Sequence, residues 1–501
     1  MSDISPRTVL RNARVFDGSG SAPYSADVLL ADGLIRQIAP CGSLPQTAGQ
    51  AETDLDGLAL APGFIDTHTH DDRLALIQPQ MWPKLSQGVT TVITGNCGLS
   101  LAPWQAPLDP PQPPAPLTLL GASADFVYDR FADYARAVDA AQPALNVASL
   151  VGHATLRLRC MADTARAATP DELDAMRAVL RESLQAGALG LSSGVFYAPA
   201  RAAGHDELVP LLRDVAQHGG LYTSHIRDEY AGVLDALNEA CDAGEAALVP
   251  VLLSHHKCAG PANWGRTVET LALVAERQRR HPVRLDAYPY PAGSTVLDPD
   301  YVDGVIRIMI SWSTAHPEMA GRDLADIAVL WGVDQKEAAR RLMPAGAVYF
   351  QMREDDVRRV LSFPHTMIGS DGLPHDQHPH PRLWGTFTRV LGHYSRDEGL
   401  FHLAEAVRRM TSLPADTFGL SGRGRIRPGL AADLVAFDPD TVRDRATFEQ
   451  PCLPSEGIAH VWVAGVQAVH DGQATGARAG RWLRRQRERF GDCATPVQEA
   501  A

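Results

Sequence analysis

The sequence predicts an α/β fold, a (β/α)8 barrel of the TIM type with a small β-domain beside it. Three observations support this prediction: eight short apolar runs, segments of helical period between them, and polar residues closing each run. The runs are 63–70, 90–98, 146–157, 188–194, 220–229, 249–257, 284–294 and 366–372. Eight strands that alternate with helices are typical of such a barrel, which builds its active site at the carboxyl ends of its strands. An open doubly wound sheet would need a glycine-rich phosphate turn after its first strand, and the sequence has none there.

The clearest helical segment is TPDELDAMRAVLRESLQAG, residues 169–187. Thr169 is a suitable N-cap, Pro170 suits the first helical position, and Gly187 is a stop signal. The sequence therefore predicts a helix between the third and fourth strands.

Three parts of the chain lie outside the barrel pattern. Segments 8–40 and 431–472 alternate apolar and polar residues and contain Asp-Gly or Gly-Ser turns, which predicts β-hairpins. We therefore expect one small split β-domain from residues 1–61 and 415–501, and a catalytic barrel from 62–414. The insertion at 293–352, between the seventh and eighth strands, is long enough to predict a lid over the barrel mouth. The proline-rich segment 101–117 predicts a stiff loop near the same mouth.

Composition indicates an ordinary globular enzyme with an acidic surface. The 501 residues are 45% hydrophobic and 21% charged, and the net charge is −13. This charge argues against nucleic-acid and anionic-membrane partners. The start shows no signal-peptide pattern, and no apolar run approaches the roughly 20 residues that span a bilayer. The seven cysteines form no CxxC pair, so we expect a reduced, cytoplasmic protein. The oligomeric state cannot be read from the sequence.

Metal-binding residue types recur at the predicted strand ends. His68 and His70 stand one residue apart in PGFIDTHTHDD (62–72), so on a strand their side chains project to the same side. Other strand ends supply Cys97, His225, His255 or its neighbour His256, and Asp371. Any one of them alone is more simply a hydrogen-bonded polar residue, but a barrel brings all of them around one axis. Imidazole, thiolate and carboxylate together are a donor set for Zn²⁺.

Taken together, the sequence resembles the N-acyl-D-amino-acid deacylases of the amidohydrolase superfamily. The resemblance rests on the motifs PGFIDTHTHDD, GNCG, SHIRDE, SHHK, AYPYPAGST, GSDG and HPRLWGTFTRVLG, in this order. It extends from about Val9 to Gly465 and includes the split β-domain and the insertion. Many amidohydrolases bridge two metals with a carboxylated lysine from the fourth strand. The fourth strand here, ALGLSSG, has no lysine, whereas a cysteine follows the second strand as in the deacylases.

The resemblance implies a metal centre and a catalytic group. Cys97, His225 and His255 would hold one zinc ion tightly, and His68 and His70 would line a weaker second position. Asp371 would be the general base and acid. Its local sequence, SDGLP, also fits a simple turn-former.

The resemblance also implies residues that bind the substrate. Those expected to bind the carboxylate of the amino acid are Lys257, Tyr288, Ser294 and Arg382, with Tyr197 in the same pocket. The preference for D over L substrates rests on the resemblance alone. His153 and Arg157, at the end of the third strand, receive no role.

The expected reaction is zinc-dependent hydrolysis of N-acyl-D-amino acids. Val296 and Leu297, near the acidic DPDYVD, predict neutral, mainly hydrophobic side chains on the substrate. An N-acyl-D-glutamate or N-acyl-D-aspartate deacylase is the alternative, with Arg307 on the lid as a partner for the acid. Cyclic amidase chemistry of the hydantoinase kind and a non-catalytic relative are further alternatives. The first is disfavoured by the missing lysine, and the second by the complete set of ligands.

Overall fold

The computed structural model describes residues 7–46 and 50–485, and eight parallel strands within them close into a barrel. These strands are β1 (Phe64–Asp66), β2 (Val89–Thr94), β3 (Asn146–Ser149, continued by Val151–Gly152), β4 (Gly190–Gly194), β5 (Leu221–His225), β6 (Val251–Leu253), β7 (Val283–Ala287) and β8 (Thr366–Ile368). Each pairs in parallel with the next along the chain. A parallel bridge between Thr69 and Gly372 joins β8 to β1. The predicted barrel is confirmed.

Helices connect the barrel strands and cover them. The longer ones are Phe131–Ala141, His153–Cys160, Pro170–Gln185, His205–Gln217, Val233–Ala247, Thr267–Gln278, Glu354–Ser362, Arg382–Arg389 and Leu403–Met410. Shorter helices are Leu74–Ile77, Trp82–Leu85, Ala198–Arg201 and Ser412–Phe418. The helix predicted from Thr169 is confirmed, because the Thr169 hydroxyl accepts a hydrogen bond from the amide of Glu172 at 3.3 Å. Gly187 follows the helix with a φ of +106°, a conformation that favours glycine.

Strands from both ends of the chain form one sheet beside the barrel. They are Thr8–Val15, Tyr24–Ala31, Leu34–Ala39, Ala51–Asp54, Ala59–Pro62, Leu434–Phe437, Ile458–Val463, Val466–His470 and Gln473–Ala474. Ala59–Pro62 and Leu434–Phe437 pair antiparallel and join the two halves. The buried Trp462 packs in the core of this β-domain. The outer limits of the two predicted segments, residues 1–6 and 486–501, lie outside the described residues.

The insertion between β7 and β8 is a folded unit. Its strands Gly293–Val296, Ile308–Ser313 and Ala345–Tyr349 form an antiparallel sheet with the third strand in the middle. Its helices are Leu324–Trp331 and Gln335–Leu342. The insertion has a separate hydrophobic core that includes Leu297, Ile310 and Leu342. Its function as a lid remains a prediction.

Part of the predicted C-terminal segment packs against the barrel and not in the β-domain. Phe418, Leu420 and Leu483 pack with Ile65 and other residues of the barrel strands. The floor of the barrel needs apolar cover, so the predicted boundary at residue 415 does not coincide with a change in packing. In the described part of the chain, no helix has the length and apolar character needed to cross a membrane.

Candidate metal centre and substrate cavity

The carboxyl ends of the barrel strands place the predicted metal ligands around one cavity. His68 and His70 follow β1, Cys97 follows β2, His225 ends β5, His255 follows β6 and Asp371 follows β8. All six are buried. All but His68 line a cavity of about 160 Å³ at the barrel mouth. His256, the alternative to His255, instead places its Nε2 2.8 Å from the hydroxyl of Thr270.

We call Cys97, His225 and His255 the thiolate cluster. The Sγ of Cys97 lies 3.3 Å from Nε2 of His255, which lies 2.9 Å from Nδ1 of His225. Burial raises the pKa of Cys97, but the rings of His68 and His255 outweigh it and hold this pKa well below its ordinary value. This environment favours the thiolate form of Cys97.

We call His68, His70 and Asp371 the carboxylate cluster. One carboxylate oxygen of Asp371 lies 3.3 Å from Nε2 of His70 and 3.6 Å from Nε2 of His68. The other lies 2.9 Å from Nη1 of Arg382. Burial raises the pKa of Asp371, but Arg382 and the histidines outweigh it and hold this pKa well below its ordinary value. The Nε2 of His68 also lies 3.1 Å from the Sγ of Cys97, so the two clusters share the thiolate.

The donor atoms of the thiolate cluster suit a zinc ion. Tetrahedral zinc takes sulfur at about 2.3 Å and nitrogen at about 2.0–2.1 Å, which separates neighbouring donors by about 3.4–3.6 Å. The observed separations of 3.3 Å and 2.9 Å are both shorter than these values. Cys97, His225 and His255 therefore fit one zinc ion with a small outward adjustment.

Three of the residues at the centre have left-handed backbone conformations. The φ angles are +54° at Cys97, +36° at His255 and +49° at Asp371. Such conformations are uncommon for residues other than glycine and tend to occur at functional sites. The flanking Gly95 and Gly98 also have positive φ, and a Cβ at Gly95 would lie 2.2 Å from the carbonyl oxygen of Leu150. The GNCG motif is thus a tight turn that directs the thiolate inward.

Two carboxylates that sequence reasoning missed hold the metal-facing histidines. The carboxylate of Asp286 accepts a hydrogen bond from the His255 amide at 2.6 Å and lies 3.4 Å from Nδ1 of His68. Glu229 lies 3.1 Å from Nδ1 of His255. Carboxylates that hold the second ring nitrogen fix the orientation of a metal-binding histidine. Their only sequence signal was their position within or beside the motifs that end β5 and β7.

A buried lysine, also missed, connects the first and last strand ends. The Nζ of Lys84 lies 2.8 Å from Asp66, 3.4 Å from Asp71 and 2.6 Å from the Ser370 hydroxyl. Asp66 also accepts a hydrogen bond from the Ser370 amide at 2.8 Å. This network fixes the segment that carries His68 to the segment that carries Asp371.

Four of the five predicted substrate-binding residues line the cavity, namely Tyr197, Lys257, Tyr288 and Ser294. Lys257 forms an ion pair with Glu229 and lies 5.8 Å from the ring centre of Tyr288. Arg382 is fully buried behind Asp371. It donates to the carbonyl oxygen of Ser294 at 3.0 Å and stacks on Tyr288. Beside Tyr288, the cationic side chain that lines the cavity is therefore Lys257 and not Arg382.

The outer wall of the cavity is largely apolar. Its lining includes Leu99, Pro116, Leu119, Phe196, Val296, Tyr301 and Leu373. Pro116 belongs to the proline-rich loop, which therefore reaches the mouth. Leu297 lies in the core of the insertion, so the expectation that it faces the substrate is wrong. The cation at this wall is Arg201, which sequence reasoning missed. Arg307 is bound to Asp323 at 3.0 Å and lies outside the lining.

His153 and Arg157, which had no assigned role, form a structural clamp. Nε2 of His153 lies 2.8 Å from Glu207, and Arg157 also forms an ion pair with Glu207. Arg157 donates to the carbonyl oxygens of Pro199 and Thr164 as well. The clamp fixes the helix after β3 to the segment after β4.

Comparisons with known proteins place the chain among metal-dependent hydrolases. Residues 51–469 match the model of the amidohydrolase family. The chain is 48% identical to the D-aminoacylase of Alcaligenes xylosoxydans xylosoxydans over 95% of this chain and 97% of that protein. It is 47% identical to the N-acyl-D-aspartate deacylase of the same organism, over 94% and 93% of the two chains. The chain belongs to the amidohydrolase family.

A solved deacylase structure has the same fold as this chain. The N-acyl-D-glutamate deacylase of Bordetella bronchiseptica, solved with zinc and a phosphonate mimic of the tetrahedral intermediate, superposes with a TM-score of 0.90. It is 46% identical and covers 96% of this chain and 100% of that one. The relatives therefore include enzymes named for both unspecified and acidic D-amino acids, and their names do not decide the side chain that this chain prefers.

Proposed function

We propose that this chain hydrolyses the amide bond of N-acyl-D-amino acids and releases a carboxylate and a free D-amino acid. The observation that carries the proposal is the thiolate cluster opening, beside Asp371, into a cavity that contains Lys257. Metal ligands, a proton acceptor and a cation for the substrate carboxylate thus lie around one space. The relatives named for this reaction support the same conclusion.

Zinc is the cofactor that the proposal requires. Cys97, His225 and His255 would hold it, and its chemistry when bound would be to make a water nucleophilic near neutral pH and to polarise the amide carbonyl. Asp371 is ionised and faces the cavity, so it can accept a proton from the attacking water and return it to the leaving amine. The carboxylate cluster would hold a second ion more weakly.

The substrate carboxylate is expected to lie near Lys257 and Tyr288. Arg382 contributes from behind, through Tyr288, Ser294 and Asp371. Removing Arg382 should therefore lower kcat/KM strongly for N-acyl amino acids. The loss should be smaller for an amide without the carboxylate. Equal losses on both substrates would assign Arg382 a purely structural role.

The side chain of the preferred substrate is expected to be neutral and mainly hydrophobic. Phe196, Val296 and Tyr301 give the wall an apolar surface, and an unpaired acid buried there would cost several kcal/mol. An apolar pocket discriminates by only about 1–3 kcal/mol per methylene, so several substrates should be accepted. An acidic side chain is the second candidate, because Arg201 also lines this cavity.

A panel of N-acetyl-D- and N-acetyl-L-amino acids tests the proposal. We expect hydrolysis of the D substrates, with N-acetyl-D-methionine ahead of N-acetyl-D-glutamate in kcat/KM. A lead for N-acetyl-D-glutamate that the Arg201→Gln variant abolishes would establish the acidic alternative. Turnover of a hydantoin without turnover of any linear amide would contradict the proposed function.

We also propose a cellular setting for the enzyme. None of the six cysteines that the structure describes forms a disulfide, which agrees with a reducing compartment such as the cytoplasm. The net charge of −13 favours small-molecule substrates over nucleic acid.

A further inference from the structure

A second cluster of metal-binding side chains lies on the β-domain. His460 belongs to the strand Ile458–Val463 and His470 to its antiparallel neighbour Val466–His470. Pairing of Val461 with Val469 places the two histidines opposite each other, and their rings stack with centres 5.2 Å apart. Asp471 follows directly. Ligand atoms of these three side chains lie within 4.8 Å of one another.

The ring nitrogens that face Asp471 are the same atom in both histidines. Nε2 of His460 lies 3.7 Å from one carboxylate oxygen of Asp471, and Nε2 of His470 lies 3.4 Å from the other. Two imidazole nitrogens and a carboxylate thus converge from two strands. This donor set suits borderline divalent ions, with Cu²⁺ and Ni²⁺ bound more tightly than ions earlier in the first transition row.

Gln467 supplies the outer contact that such a site needs. Its side-chain amide lies 3.3 Å from Nδ1 of His460 and 3.1 Å from Nδ1 of His470. The nitrogen and oxygen of an amide are interchangeable by a half-turn. With the oxygen turned toward the rings, Gln467 accepts both Nδ1 protons and leaves both Nε2 lone pairs free for a metal. The long 3.3 Å contact from the Asp471 amide to Nδ1 of His460 would then be given up.

The cluster is accessible but not wholly exposed. The His460 side chain is 7% exposed, whereas His470 and Asp471 are 57% and 77% exposed. Burial lowers the pKa of His460, and His470 lowers it further although Asp471 acts against this. One ligand is thus held by packing and two remain open to solvent. None of the three lines the cavity at the barrel mouth.

We propose that His460, His470 and Asp471 form a surface site for a divalent transition-metal ion, separate from the catalytic centre. An ion bound there would link the two strands of the hairpin. Nothing in the proposed hydrolysis depends on this site, so its loss should leave kcat and KM unchanged.

Titration of the zinc-loaded enzyme with Ni²⁺ at pH 7.5, followed by calorimetry, tests the proposal. Wild type should bind one more equivalent than His470→Gln, and Asp471→Asn should bind this equivalent at least tenfold more weakly. Asparagine tolerates the positive φ of 48° at residue 471, so the turn should be retained. The carboxylate cluster can also bind Ni²⁺, and it does so equally in every variant. The result is therefore the difference in bound equivalents between the wild type and each variant.

His402→Gln is the matched control, since it removes an exposed imidazole outside the cluster. It should bind as many equivalents as wild type. Ni²⁺ should also raise Tm more in wild type than in His470→Gln, because the ion stabilises only the folded hairpin. Equal binding by wild type and His470→Gln, or an equal loss in His402→Gln, would overturn the proposal. Changed hydrolysis by His470→Gln would show that the site is not separate from catalysis.

Discussion

The thiolate cluster and the carboxylate cluster lie side by side and share Cys97. They differ in the charged groups that already contact their ligands. In the thiolate cluster, the Sγ of Cys97 faces histidine nitrogens, and Glu229 and Asp286 hold the histidines in place. In the carboxylate cluster, Asp371 already forms an ion pair with Arg382 at 2.9 Å. A cation would have to compete with that guanidinium.

From this difference we propose that the contacts behind the ligands set the order of metal affinity. Both clusters offer histidines, so the ligand types alone do not separate them. Behind the thiolate cluster, the carboxylates of Glu229 and Asp286 outnumber the one ammonium group, that of Lys257, which lies 2.9 Å from Nδ1 of His255. This balance favours a cation, whereas the fixed positive group behind Asp371 disfavours one. We therefore expect one tight zinc at the thiolate cluster, with Asp371 kept free for proton transfer.

The largest effect is expected for Cys97→Ala. This change removes the only thiolate from both clusters, so the tight zinc and nearly all activity should be lost. Elemental analysis after desalting measures the zinc. Cys258→Ala is the control, because Cys258 is also buried but burial raises its pKa to about 12 and keeps it a thiol. Full zinc content in Cys97→Ala would remove Cys97 from the centre.

Asp371→Asn should separate chemistry from metal binding. The tight zinc should stay, while kcat should fall by roughly 10²–10⁴, the range for loss of a general acid–base. Asparagine tolerates the positive φ at residue 371, so the fold should be retained. Asp376→Asn, on the same loop, is the control. A kcat within a few-fold of the parent would show that Asp371 is only a turn residue, with no catalytic role.

Glu229→Gln should weaken the tight zinc by about 10- to 100-fold, the usual cost of losing an outer contact to a metal-binding histidine. The variant also leaves Lys257 without its carboxylate partner, so KM should rise as well. Competition with a chromophoric chelator measures the affinity. Glu239→Gln, which breaks an ion pair with Arg227 away from the cavity, should leave zinc affinity unchanged. Parental zinc affinity in Glu229→Gln would show that His255 is oriented by other contacts.

Among the effects on metal binding, Arg382→Met should produce the smallest one, and in the opposite direction. Without the guanidinium, the carboxylate cluster should bind its second zinc more tightly, by about tenfold or more, because a fixed positive charge beside Asp371 is gone. Equilibrium dialysis of the second equivalent measures this. Arg389→Met removes a nearby guanidinium that stacks on Tyr290 and should have no such effect. If the second zinc binds to Arg382→Met no more tightly than to the parent, Arg382 does not compete with that ion for Asp371.

The fold was largely predictable because each barrel strand has a recognisable local sequence pattern. Runs such as 63–70 combine an apolar strand with the polar residues that follow it, and strand order alone brings those residues together. The pairing of Ala59–Pro62 with Leu434–Phe437 was also foreseeable from two alternating chain ends. The contacts of Phe418 and Leu420 with the barrel were not, because nothing local distinguishes a residue that covers the barrel from one in the β-domain.

The contacts that hold the predicted ligands in place could not be predicted from the sequence. Lys84, Glu229 and Asp286 act through partners that are distant in the chain, so no local spacing marks them. The burial of Arg382 against Asp371 likewise depends on how the helix from Arg382 to Arg389 docks. Predicting which strand ends meet is therefore easier than predicting which charges neutralise each other there.

Stepwise return of zinc to the metal-free enzyme tests the central claim most directly. Activity on N-acetyl-D-methionine is measured at each added equivalent of zinc. If the thiolate cluster holds the one ion that hydrolysis requires, activity should rise linearly and reach its maximum at one equivalent. A rise that continues to two equivalents would contradict the account, because the carboxylate cluster would then have to be filled before the enzyme could work.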